Sequence, residues 1–213
     1  MAEHTSNTPL LDAIARLERI GPRADISVST RSGGGLLIAW GAADADASTT
    51  EHTVFVARDG GIKGRIQQLA PDSALHRAIY LAQDDVHAIV HVQSTYATAL
   101  ASLRRSLPPF HPRIAIAGGD SVPCVPYQTP GSPALASAVV DALTRRKACL
   151  IAHDGLVATG GTLAQATTIA TSIESLCQSY LAALVVGEPP RLDRIEIAQA
   201  LAKLQDYART PRS

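Results

Sequence analysis

Hydrophobic positions change period several times along this chain. Residues 9–20 place Leu10, Ile14 and Leu17 at helical spacing behind Pro9, a favoured first-turn residue, and Gly21-Pro22 ends the run. Residues 25–30 (DISVST) alternate as a strand does. Residues 32–35 (SGGG) turn the chain, and 36–40 return as a second strand, a hairpin pattern. Residues 41–50 are small and polar, as a loop requires. Residues 53–57 (TVFVA) form a third strand, closed by Asp59-Gly60-Gly61.

The second half alternates differently. Asp72 or Ser73 caps a helix reaching residue 83, with Leu75, Ile79 and Ala82 on one face. Residues 88–92 (AIVHV) read as a short β-branched strand, and a helix follows from Ser94 to Leu103. A proline-rich loop fills 107–112, residues 121–127 read as a strand, and Pro130-Gly131-Ser132 opens a helix to Thr144. Residues 148–152 and 156–159 are strands separated by Asp154-Gly155. A long helix begins at Thr162 and buries Leu163, Ala166, Ile169, Ile173, Leu176 and Tyr180. Pro189-Pro190 breaks it, and 191–207 form a C-terminal amphipathic helix. Hairpins mixed with helix-flanked strands predict a three-layer α/β/α domain around a mostly antiparallel sheet. No linker or repeat interrupts the pattern, so residues 1–213 read as a single domain with the first eight frayed.

Composition narrows the function classes. Lys+Arg and Asp+Glu are 19 each, so the chain has no general pull on nucleic acid or anionic membrane. Three cysteines without a C-x-x-C pair suggest reduced, buried thiols in a cytoplasmic protein. The segment MAEHTSNTPLLDAI lacks the basic and apolar regions of a signal peptide, and no apolar run is long enough to span a bilayer. Neither a G-x-G-x-x-G nor a Walker-type phosphate loop is present, so no nucleotide cofactor is expected.

The chemistry-bearing residues cluster at strand ends. His91 and Gln93 are two apart on one strand and share a face. His153 and Asp154 follow another strand, immediately before Gly155, and Asp72 opens the helix preceding the His91 strand. Imidazole, amide and carboxylate donors of this kind suit a divalent metal. Each also has a plainer role: His91 as a hydrogen-bonded core residue, Asp72 as a helix cap.

Three segments together resemble the class II aldolase/adducin family: PDSALHRAIYLAQDDVHAIVHVQSTYATALASL (71–103), VPCVPYQTPGSPALASAVVDAL (122–143) and CLIAHDGLVATGGTLAQA (149–166). Their order and spacing match over roughly residues 10–186. The resemblance implies that family's α/β fold. It also implies a metal held by three histidines, usually zinc, that stabilises an enediolate during aldol cleavage, with an acidic residue as acid/base. Carried over, Asp72 takes the place of the acid and His91 that of the first metal histidine. Gln93 stands where the second histidine is expected. Aligning on Gly155 places Asp154 at the third and His153 at a usual asparagine. A His/Gln/Asp set shifts preference from Zn towards Mg or Mn, and His153 is a further candidate ligand. His76 matches a helix histidine that supports the site from behind.

Substrate contacts implied by the resemblance fall at Asp25, Gly41, Ser73 and Tyr127. There the family's phosphate-binding residues are altered: Ala24-Asp25 replaces Gly-Asn, Trp40-Gly41 replaces Thr-Gly, and Ala70-Pro71 replaces Ser-Ser. Arg65 and Arg31 are the cations available to compensate. The resemblance further implies a small-molecule substrate and a homotetramer, with Tyr127 and Tyr207 as candidates to reach a neighbouring site. Three functions remain open: a lyase or epimerase, a non-catalytic adducin-like module, and a decarboxylase or dehydratase using the same pocket.

Overall fold

The structure, a computed structural model, describes residues 8–41, 53–63 and 72–209, with side chains through 203. Helix α1 (Thr8–Leu17) leads through a 3-10 turn at Arg23–Asp25 into β1 (Ile26–Ser32), β2 (Gly35–Trp40), β3 (Thr53–Ala57) and β4 (Ile62–Lys63). Helix α2 (Ser73–Ala82), β5 (Ala88–Val92) and α3 (Thr95–Ser102) follow. A 3-10 segment at Pro112–Ala117 leads to β6 (Cys124–Val125), α4 (Pro133–Leu143), the hairpin β7 (Ala148–Ile151) and β8 (Leu156–Gly160), α5 (Leu163–Leu184) and α6 (Arg194–Arg209). The eight strands form one sheet in the order β4-β3-β2-β1-β5-β8-β7-β6. Every pairing is antiparallel except β6 with β7. The expected three-layer, mostly antiparallel architecture is present.

The layers follow from strand alternation. Ile26 and Val28 of β1, and Ala88, Val90 and Val92 of β5, pack with α1, α3 and α5 on one face. Ile89 of β5 points the other way, into the core beneath α2 and α4. Ser27, Ser29 and His91 have that second parity, so polar groups face α2 from inside the sheet. All of β5, β7 and β8 is buried, because helices cover both faces.

Several boundaries differ from the sequence reading. The strand expected over 121–127 is reduced to Cys124–Val125, with an isolated bridge between Leu107 and Val122. Pro123 and Pro126 lack the N–H groups that a longer ladder needs. The C-terminal helix begins at Arg194 rather than 191. Residues 1–7 of the tail expected to fray, Arg65, Ala70-Pro71 and the Tyr207 side chain lie outside the described parts of the molecule, whereas Thr8, expected in that tail, opens α1. All three cysteines are free thiols, and burial pushes each thiol up, away from the thiolate. Among the described residues no helix is long and apolar enough to cross a membrane.

Candidate active site

Adjacent strand ends build the site. Ser27 on β1 lies opposite His91 on β5, which lies opposite Val157 on β8. The β7–β8 turn then brings Asp154 back beside the end of β5. Gly155 makes this approach possible: a Cβ there would sit 2.5 Å from the Val92 carbonyl oxygen. Gly41 is similarly constrained, since its Cβ would meet the Arg23 carbonyl oxygen at 1.9 Å. Its N–H donates to Ile26, which fixes the chain leaving β2 against the start of β1.

At the centre, Nδ1 of His91 lies 2.9 Å from Oδ2 of Asp72. Its Nε2 faces Oδ2 of Asp154 at 3.5 Å, too long for a hydrogen bond, and that buried nitrogen has no other partner. Gln93 donates its amide to Oδ1 of Asp154 at 3.0 Å, and Thr98 donates to the Asp154 carbonyl at 3.1 Å. Asp72, His91, Gln93 and Asp154 therefore converge.

Asp72 opens α2, but its side chain makes no capping bond. Its Oδ2 instead accepts from Ser27 at 2.8 Å as well as facing His91. This corrects the plainer reading of Asp72 as a helix cap. Burial would raise its pKa, but His91, the hydrogen bonds and His76 outweigh burial and hold the carboxyl well below the usual range. Burial likewise acts to lower His91, and the two flanking carboxylates overcome it, raising the imidazole well above 6.5.

His76 is fully buried behind Asp72. Its ring nitrogens meet Ser27 Oγ at 3.1 Å and Ser29 Oγ at 2.7 Å, and Ser29 continues to Tyr80. Burial, reinforced by His91 and opposed by Asp72, pushes His76 down to about 4. The folded chain thus binds fewer protons here than an unfolded histidine of pKa 6.5. This contribution to stability is whole above 6.5 and declines as pH falls towards 4, by at most about 3 kcal/mol. The raised His91 acts with the opposite sign: its contribution is whole below 6.5 and is lost as pH rises from there through its folded value, so it partly offsets His76 near neutrality. Asp72 adds a loss only below its ordinary carboxylate value. Urea titrations at pH 7, 5.5 and 4.5 are expected to show the decline. His76→Asn should be weaker at pH 7 but less sensitive to acid; a parallel slope in the variant would contradict this assignment.

His153 does not join the convergence. Its backbone is left-handed, with φ 61°, and the ring is exposed. The conformation costs a side-chain-bearing residue about 1–2 kcal/mol. It rotates consecutive side chains apart, with Asp154 inward and His153 outward to Arg104. The Tyr127 ring stands edge-on to His153 at 6.1 Å and is 52% exposed. The Asp25 carbonyl accepts from the Gln93 N–H at 3.1 Å, which places Asp25 beside the site. Ser73 is buried in the first turn of α2. Arg31 is committed elsewhere: its guanidinium donates to the carbonyls of Tyr80, Gln83 and Val86 at the far end of α2.

The sequence reading missed Ser27, Ser29, Thr98 and Glu174. Glu174 on α5 is buried, and its carboxylate accepts from Ser94 Oγ and from the backbone N–H groups of Tyr96 and Ala97 at 2.7–2.8 Å. It thereby caps α3, the helix that begins just after Gln93 and carries Thr98. The alternating serines of β1 mark one face of the strand, but not that α2 covers it. Glu174 had no signal, being one polar residue in a long helix.

Among the described residues, no three His, Cys, Asp or Glu side chains surround one point as a metal site requires. The unpartnered Nε2 of His91 facing the Asp154 carboxylate nonetheless fits two donors to a hard divalent ion. Gln93 and water would complete the shell, as Mg or Mn accept more readily than Zn.

Comparison with known proteins gives a consistent picture. The family described as Class II Aldolase and Adducin N-terminal domain matches residues 21–181. The chain is 36% identical over 202 residues to the L-fuculose phosphate aldolase of Escherichia coli strain K12, covering 93% of each chain. It is 33% identical over 200 residues to a 5-methylthioribulose-1-phosphate/5-deoxyribulose-1-phosphate aldolase of Rhodospirillum rubrum, covering 93% of this chain and 90% of that one. A solved L-fuculose 1-phosphate aldolase superposes with a TM-score of 0.87 at 26% identity, over 96% of this chain and 98% of that one.

Proposed function

From the premise that the chain belongs to the class II aldolase and adducin family, we propose that it is a lyase for a small sugar-derived or hydroxy-keto substrate, cleaving or forming a C–C bond beside a carbonyl. The relatives bear the names of ketose-phosphate aldolases, which supports a substrate of that size and chemistry. The observation that carries the reading is the meeting of Asp72, His91 and Asp154 from three separate segments.

In this reading Asp72 is the acid/base. Its Oδ2 is occupied by Ser27 and His91, which leaves Oδ1 to exchange a proton with a substrate hydroxyl. Pairing with His91 keeps Asp72 ionised at neutral pH, and release of the His91 Nε2 proton on loading would restore part of its basicity. His91 and Asp154 would hold the divalent ion, with Gln93 steadying the Asp154 carboxylate. Loading requires His91 to release a proton from Nε2 while Nδ1–H stays donated to Asp72, so uptake weakens as pH falls. The ion, when bound, polarises hydroxyl and carbonyl oxygens and offsets the negative charge of an enediolate. Cleavage of the C–C bond leaves its electron pair on the carbonyl-bearing fragment. Asp72 returns the proton as that fragment is quenched.

The same reading carries a homo-oligomer, a tetramer by family resemblance, which light scattering would test. For the activity, metal content would be measured on protein purified without chelator, followed by titration with Mg, Mn and Zn. Aldol cleavage would then be assayed on a panel of sugar phosphates and hydroxy-keto acids. The expected result is divalent-dependent cleavage, lost with EDTA and restored by Mn or Mg. Absence of both metal uptake and turnover would favour the non-catalytic adducin-like module, a reading that the loss of two imidazoles at Gln93 and Asp154 supports. Decarboxylation or dehydration without cleavage would assign a different reaction to the same pocket.

A further inference from the structure

The two non-glycine residues with a left-handed backbone among the described ones are Arg104, at φ 54°, and His153, at φ 61°. They are partners: Nε of Arg104 donates to Nε2 of His153 at 3.1 Å. Their backbones converge as well, because the N–H groups of both donate to the carbonyl of Ala101 at the end of α3. A left-handed conformation is resisted by any residue with a Cβ, so two of them joined at one place mark a geometry held by its surroundings.

This geometry sets a cation at the rim of the site. His153 precedes Asp154, and consecutive Cα atoms are about 3.8 Å apart. The guanidinium that holds the outward-facing His153 ring is thereby tied to the turn that carries Asp154, on its outer side. Among the described hydrogen bonds only Nε of Arg104 has a protein partner, and the side chain is exposed. Its two terminal nitrogens form a planar fork suited to the paired oxygens of a carboxylate or phosphate. Tyr127 stands on the other side of the His153 ring and presents a half-exposed phenol to the same rim.

The geometry points to Arg104, braced by His153, as the recognition point for an oxyanion on the substrate. The anion is a phosphate or carboxylate at the end of the molecule that lies towards Tyr127. As a substrate assignment this rests on the lyase reading above; as a binding site it can be tested without turnover. Inorganic phosphate and malonate would be titrated separately into the intact protein at constant ionic strength, followed by amide chemical shifts and calorimetry. Arg104→Gln, Arg104→Gly and the unaltered chain would be compared.

Saturable binding that perturbs the amides of 153–155 is expected, with affinity falling at least tenfold in both variants. The stronger of the two probes identifies the oxyanion class. Arg104→Gly should also melt at a higher temperature, because glycine accepts a positive φ, so weaker anion binding with higher stability separates recognition from folding. Failure of both probes to bind the unaltered protein, or equal affinity in all three proteins, overturns the proposal whether or not the lyase assay succeeds. If turnover is found, Arg104→Gln should raise KM for the anionic substrate and leave that for an uncharged counterpart unchanged.

Discussion

Asp72→Asn is expected to lower kcat/KM on the order of 10³-fold, equivalent to about 4 kcal/mol of transition-state stabilisation. The amide is nearly isosteric and can still accept from Ser27, so the geometry of α2 and β1 is retained. It cannot act as a base, and it leaves the raised His91 with only Asp154 as counter-charge. Steady-state kinetics on whichever substrate the panel yields, with thermal melting as a control for folding, would measure this. Activity within tenfold of the unaltered chain would remove Asp72 from the acid/base role. A collapse in melting temperature would instead identify its contribution as structural.

A larger effect on stability is expected from Glu174→Ala. The carboxylate is 5% exposed and receives three donors, two of them from the first turn of α3. Alanine would leave those donors buried without an acceptor and open a void between α3 and α5. The expected loss is about 4 kcal/mol, or a melting temperature lower by about 8–16 °C for a domain of this size. Glu174→Gln keeps one acceptor oxygen but turns an NH₂ group towards N–H donors, so an intermediate loss is expected. A change of less than about 1 kcal/mol in the alanine variant would show that water replaces the carboxylate without penalty. Because α3 begins after Gln93, carries Thr98 and ends beside Arg104, the glutamine variant should also show reduced divalent uptake.

How much of this was legible beforehand depends on the residue. The fold followed from period: the β-branched strands, the glycine turns and the apolar stripe of α5 fall where the sequence places them. His91 and Gln93 share a face because a strand alternates, and Asp154 returns beside them because Gly155 permits the approach. His153 could not be placed by alternation, since a left-handed residue breaks the period at that point. Ser27 and Ser29 look like solvent-facing positions in DISVST. They are buried because α2 covers that face of the sheet, which only the tertiary arrangement reveals. Arg104 and Glu174 act through partners 49 and 77–80 positions away, so no local pattern announces them.

The sheet has a last consequence at its borders. Among the described residues the strands at its two ends, β4 and β6, contain two residues each, whereas the six interior strands contain four to seven. A template that short offers little purchase for another chain's backbone, so these borders resist fibril-like growth by strand addition. Among the described residues, the helices and loops offer copies of the protein more surface to meet through than these short borders do.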